Sequence, residues 1–254
     1  MSLRSAVAQC VQYPTNEECF RRLDNETEWI SLKNRRDMEN FGVIKLAIAT
    51  LKRDDISTHI RFLCWSWILN YVIIDDLDDE NEYGLNAPMN LFLRAGGNDL
   101  LSQDFEVFKT LWSKLFAVTS WCSQDLSNIP EFIRREFHKY ALVSINARDE
   151  NLDFAISIIR AFSALEGPTR LILRKDGALE AVLPFLDCLQ SNTDAELRRG
   201  FRTGSIVARL AGNDETGIGP QIIRGNPILV SKTVEILNKV LDAGPTGRVL
   251  NSVR

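Results

Sequence analysis

The chain has 254 residues, 45% of them hydrophobic and 25% charged, with a formal net charge of −4. That composition is enough to build a sizeable core and excludes a mainly disordered chain. The mild acidity gives no overall basic field for neutralising phosphates, so nucleic acid is not expected among the partners.

Residues 1–12 carry a single charge, Arg4, and no continuous apolar core before a small-residue cleavage site, so a secretory leader is not expected. Residues 1–39 fit the later pattern least and are expected to cap it with a polar outer face. Further along, apolar residues step by three and four: Phe108, Leu111, Trp112, Leu115; Ile133, Phe137, Tyr140; Ile158, Phe162, Leu165; Leu179, Val182, Leu183, Leu186. The same step recurs at Val230, Val234, Leu237 and Leu241. This is the period of an amphipathic helix, and no useful stretch alternates as a strand would. The expected fold class is all-α. The most apolar stretch, 62–74, is 13 residues long and interrupted by Ser66 and Asn70, too short to span a bilayer. No membrane partner is expected.

Breakers rich in Gly, Pro, Asn, Asp and Ser separate the helices at 81–88, 127–130, 191–194, 213–220 and 242–247. Three segments share one plan, an apolar stretch, a basic residue, a glycine and a second apolar helix: LFLRAGGNDLL (91–101), LILRKDGALEAVLPFL (171–186) and QIIRGNPILV (221–230). A cation meets the exposed carbonyls that end a helix, and glycine accepts the left-handed backbone of the turn. Gly97, Gly177 and Gly225 stand 80 and 48 positions apart. Those gaps predict two repeats and then one, with a degenerate junction near residue 137.

A period of about 40 to 48 residues lies in the range of helical-repeat proteins. On these segments the sequence resembles the armadillo family, whose repeat is a short first helix, a glycine turn, a second helix and a long third helix. The resemblance implies a right-handed α-solenoid of about four to five repeats over residues 40–254, some degenerate, behind a cap of residues 1–39. Within it, 169–175 reads as a first helix, 177–190 as a second and 194–211 as a third, while 58–72 and 152–165 are similar to earlier third helices. Pro184 falls inside a second helix and should kink it.

Two acidic strings offer a rival chemistry. Asp75, Asp76 and Asp79 in DDLDDE resemble the aspartate-rich motif with which terpene synthases and prenyltransferases hold magnesium against a diphosphate. Asn98, Ser102 and Glu106 fit that family's second metal motif. The two strings begin only 23 positions apart, whereas the enzymes place theirs on distant, facing helices. A solvated loop is therefore the preferred reading of the acidic run, and neither cofactor nor metal is expected. His59 and His138 have no zinc spacing, and phosphate-loop, dinucleotide and nucleophile-elbow strings are absent.

With no catalytic constellation, the expected function is a non-enzymatic scaffold that binds a protein or peptide. In peptide-binding armadillo proteins, third helices present tryptophan and asparagine, the carboxamide gripping a peptide backbone as both donor and acceptor. Asn70 falls at the asparagine position and Ser66 at the tryptophan position, flanked by Trp65 and Trp67. Trp67 and Asn70 are groove candidates, although a helix apolar nearly all round favours core for both tryptophans. Gly167 and Gly212 replace the asparagine in two later helices, so a regular amide ladder is not expected. Arg198, Arg202 and Arg209, spaced by four and seven, share one helix face and suit an acidic partner segment. Cys10, Cys19, Cys64, Cys122 and Cys188 are odd in number with no C-x-x-C pair, which predicts reduced thiols and a cytoplasmic or nuclear location.

Overall fold

The computed structural model describes residues 2–28, 35–73, 88–191, 193–211 and 231, and no strand occurs among them. None of the described helices is long and apolar enough to cross a membrane. The chain divides into two units, Met1–Phe162 and Ser163–Arg254.

Unit 1 begins with α1 (Leu3–Gln12) and α2 (Glu17–Glu28), followed by α3 (Arg35–Asn40), α4 (Val43–Leu51) and α5 (Thr58–Val72). It continues through α6 (Pro88–Phe92), α7 (Asn98–Val107), α8 (Trp112–Cys122), α9 (Ile129–Arg134) and α10 (Phe137–Ala147). The last helix, α11 (Leu152–Ala164), runs over the unit boundary. Unit 2 holds α12 (Pro168–Lys175), α13 (Ala178–Val182) and α14 (Asp194–Ala211). The expected helices 58–72 and 194–211 thus have the observed bounds, and 152–165 and 169–175 are off by one residue. At Pro184 the missing N–H ends α13, and the chain continues as a 3-10 helix, Leu183–Gln190.

One motif recurs four times among the described residues: a first helix, a residue with left-handed backbone, a second helix and a third. The left-handed residues are Gly42 (φ 78°) between α3 and α4, Gly96 (φ 100°) before α7, Glu136 (φ 61°) before α10 and Gly177 (φ 81°) before α13. Gly96, Glu136 and Gly177 follow at steps of about 40 residues, the repeat period of armadillo and HEAT proteins. The expected turn at Gly97 falls instead on Gly96. Gly97 has helical dihedrals and is required for another reason, since a Cβ there would come 2.5 Å from Cζ of Phe92. Gly225 lies outside the described residues.

The core of unit 1 gathers around α5, which packs on α2, α4, α6 and α8. Ser57 caps its first turn, accepting from Ile60 N at 3.3 Å. Ile60, Cys64, Trp65, Trp67, Ile68 and Val72 are fully buried, as an all-round apolar helix must be. Most polar atoms of its buried network are paired, Arg61 Nε being an exception. Arg61 donates to Asp104 Oδ1 at 2.9 Å and to the carbonyls of Leu51 (3.2 Å) and Arg53 (2.7 Å), while Trp65 Nε1 donates to Asp104 Oδ2 at 2.7 Å. Burial pushes the Asp104 carboxyl above its ordinary value, against the pull of Trp65 and Arg61.

In unit 2, α14 packs on the 3-10 helix and on α12 and α13. At the crossing with the 3-10 helix stands Gly200, where a Cβ would meet the Leu189 backbone nitrogen at 2.6 Å. Arg174, near the end of α12, donates from Nε to the Leu210 carbonyl at 2.6 Å and so serves the last turn of α14.

Candidate binding surface on the third helices

In unit 1 the third helices α5 and α8 lie side by side. On the open face of α5, Phe62, Ser66 and Asn70 form one row, because residues four apart stack on a helix. Phe62 keeps 36% of its surface exposed, Ser66 is half-buried and Asn70 is exposed. Ser66 Oγ is turned back to the Phe62 carbonyl at 3.0 Å, which leaves the row shallow between its aromatic and amide ends. From α8, Lys114 Nζ stands 4.9 Å from the Phe62 ring centroid, a cation–π contact that bridges the two third helices at the surface. Trp67 is fully buried, its ring stacked on Phe20 of α2 at 5.9 Å and its Nε1 bonded to Asp24 Oδ1 at 2.7 Å. That is core packing, so the surface character of this segment attaches to Phe62 and Asn70. Phe62 escaped the sequence reading because one aromatic among many gives no sign of its direction.

In unit 2, Arg198 is exposed and Arg202 and Arg209 are half-buried along α14. Phe201 lies beside Arg202 with 36% exposure, giving this face an apolar centre as well as cations. Gly167, at the position of a missing amide, is a left-handed residue (φ 71°) leading into α12, and Gly212 lies outside the described residues.

Asp75, Asp76 and Asp79 also lie outside the described residues. Of the second string, Ser102 and the neighbouring Asp99 are engaged by Arg135, while Glu106 is exposed. Arg135 donates to Asp99 at 2.7 Å and to Ser102 Oγ and the Asn98 carbonyl at 3.2 Å, while Asp104 is buried against Arg61 and Trp65. Among the described residues no group of three or more His, Cys, Asp or Glu side chains is placed to hold a metal. His138 is buried on α10 and His59 exposed on α5. All five cysteines are free thiols; Cys10, Cys19, Cys64 and Cys122 are buried, and burial pushes Cys10 up to about 12.

This arrangement has counterparts among solved structures. An engineered protein from the Northeast Structural Genomics Consortium superposes with a TM-score of 0.65 at 13% identity, over 95% of this chain and 90% of that one. A designed armadillo repeat protein in complex with the peptide (KR)4 gives a TM-score of 0.62 at 13% identity, over 94% of this chain and 99% of that one. The fold is that of an all-α helical-repeat protein. At this identity the likeness concerns the fold alone. No protein-family model matches the chain, and no curated protein matches it.

Proposed function

We propose that the chain is an armadillo-like repeat module, not an enzyme, that binds a protein or peptide segment on its third helices. The observation that carries this reading is the fourfold recurrence of helix, left-handed residue, helix and third helix. The fold likeness to a designed armadillo protein that holds a peptide supports it. Within residues 1–39, α1 and α2 serve as the cap, a role supported by the packing of α1 on α4 and of α2 on α5. Binding is irregular. The Phe62, Ser66 and Asn70 row offers one ring and one carboxamide, and the α14 face offers Arg198, Arg202 and Arg209 to an acidic stretch. The free thiols suit the reducing cytoplasm or nucleus.

The test is crosslinking with photoreactive groups placed at Phe62 and at Arg198, in cells that make the protein, followed by identification of the captured segment and measurement of its affinity. Asn70→Ala with Phe62→Ala, and separately Arg198→Glu with Arg202→Glu, should each weaken that binding at least about tenfold, as losses at interface anchors do. Retention of full affinity by both double variants would refute the assignment.

A further inference from the structure

Away from the third helices, unit 1 carries a polar cleft of about 540 Å³ lined by α6, the start of α7 and the α8–α9 connection. Its size is within the ~300–1,000 Å³ of small-ligand sites. Four of its seven lining residues share a hydrogen-bond network. Asn90 Nδ2 donates to Asp125 Oδ2 at 2.8 Å, Asn128 Nδ2 donates to Asn90 Oδ1 at 2.9 Å, and Ser127 donates to Asp125 Oδ1 from its backbone N (2.9 Å) and its hydroxyl (2.7 Å). Asn90 and then Ser127 hold the Asp125 carboxyl below its ordinary range, so this wall is anionic at neutral pH.

Two further polar residues line the cleft. Arg94 and Asn98 flank the Gly96–Gly97 turn, in which Gly96 supplies the left-handed backbone and Gly97 fits against the Phe92 ring. The two glycines bring a guanidinium and a carboxamide to one wall. Arg94 is exposed and donates from Nε to the Asn90 carbonyl at 3.3 Å, and no carboxylate among the described residues lies within 4.0 Å of its charged nitrogens. Asn98 Oδ1 is buried without a hydrogen-bond partner, an unfavourable state that a donor brought to it would relieve.

We propose that this cleft binds a carboxylate flanked by a peptide amide. The Arg94 fork takes the carboxylate in a bidentate pair, the strong geometry for these two groups, and the Asn98 amide pairs with the neighbouring peptide group. Asp125 opposes a second negative charge, so a monoanion is favoured over a phosphate dianion. The group has two sources, the C-terminus of a chain or an Asp or Glu side chain. Neither depends on the third-helix surface.

Three probes separate the outcomes: acetyl-Ala-Ala-Ala as its free acid, the same peptide as its amide, and acetyl-Ala-Asp-Ala as its amide. Each is titrated at millimolar concentration into the full chain while the Arg94 Nε and Asn98 Nδ2 resonances are followed by NMR. Saturable shifts with the free acid mark the C-terminal source, and shifts with the Asp peptide mark the side-chain source. The uncharged amide should give none. Arg94→Gln, an exposed change, should weaken binding about tenfold or more, with Arg94→Lys in between because it keeps the charge and loses the fork. Equal binding of the uncharged amide, undiminished binding by Arg94→Gln, or no saturable shift with any probe would overturn the proposal. Arg198→Glu with Arg202→Glu should leave these shifts unchanged, which separates this site from the third-helix surface.

Discussion

Unit 1 and unit 2 hold their long third helices by different means. In unit 1, α5 is pinned by polar groups inside the core, where Arg61 and Trp65 converge on Asp104 and Trp67 reaches Asp24. In unit 2, α14 is seated by shape, with Gly200 letting it approach the Leu189 backbone, and Arg174 bonds its last turn. A buried charged network fixes register at a desolvation cost, so losing one member exposes that cost in full. A glycine contact carries no such charge and fails only when atoms are added. All five tryptophans lie in residues 1–162, so tryptophan fluorescence reports unit 1 alone and circular dichroism reports both units.

The largest effect is expected at Asp104. Asp104→Ala leaves the Arg61 guanidinium buried without its counter-charge and should lower the stability of unit 1 by about 3–5 kcal/mol in urea unfolding followed by fluorescence. The pair Arg61→Met with Asp104→Leu should recover most of that loss, because an apolar pair needs no desolvation; a double variant as unstable as the single one would show that the charges themselves are required. Next comes Gly200→Ala, which should cost about 1–3 kcal/mol because the obstructing atoms are backbone and cannot rotate away. Its signature is a shifted dichroism transition with an unmoved fluorescence transition.

Smaller effects sharpen the same contrast at the left-handed turns between first and second helices. Glu136 holds a left-handed backbone that glycine adopts freely, so Glu136→Gly should stabilise unit 1 by up to about 1 kcal/mol; Gly177→Ala, at the equivalent turn in unit 2, should destabilise by a similar amount. The smallest effect is electrostatic. Arg134 and then Arg135 hold the Glu131 carboxyl down at about 2, on a half-exposed site. A depressed carboxyl stabilises the fold above its unfolded value and loses that contribution as pH falls towards the folded one. The midpoint for unit 1 should therefore drop slightly between about pH 5 and pH 2, less so in high salt, and Glu131→Gln should remove that part of the slope.

Much of the helical plan was legible because periodicity and breakers are local properties. The bounds of α5 and α14, the Gly177 turn and the break at Pro184 all follow from side-chain spacing, backbone freedom or a missing N–H. Glu136 shows the limit. Its junction has the same backbone as Gly177, yet a glutamate carries no local sign of it, and the conformation is imposed by the helices on either side. Gly42 was passed over because no basic residue precedes it closely. The candidate site was legible only in part. Asn70 is exposed where the armadillo resemblance placed it, but the helix that carries it is apolar nearly all round, and such a pattern does not say which aromatic turns outward.

By itself the sequence determined that the described residues are all-α, where α5, α11, α12 and α14 start and stop to within one residue, and that the turns recur at a repeat-like interval, because these depend on neighbours within a few positions. Tertiary structure alone decided that Phe62 is surface, and it settled the groove candidate Trp67 as core, the side its apolar helix already favoured. It also decided that Asp104 belongs to Arg61 and Trp65 rather than to an acidic string, and that Arg94 and Asn98 share a cleft. Each of these depends on which groups meet across distant helices, where burial and pairing set the energy of a side chain.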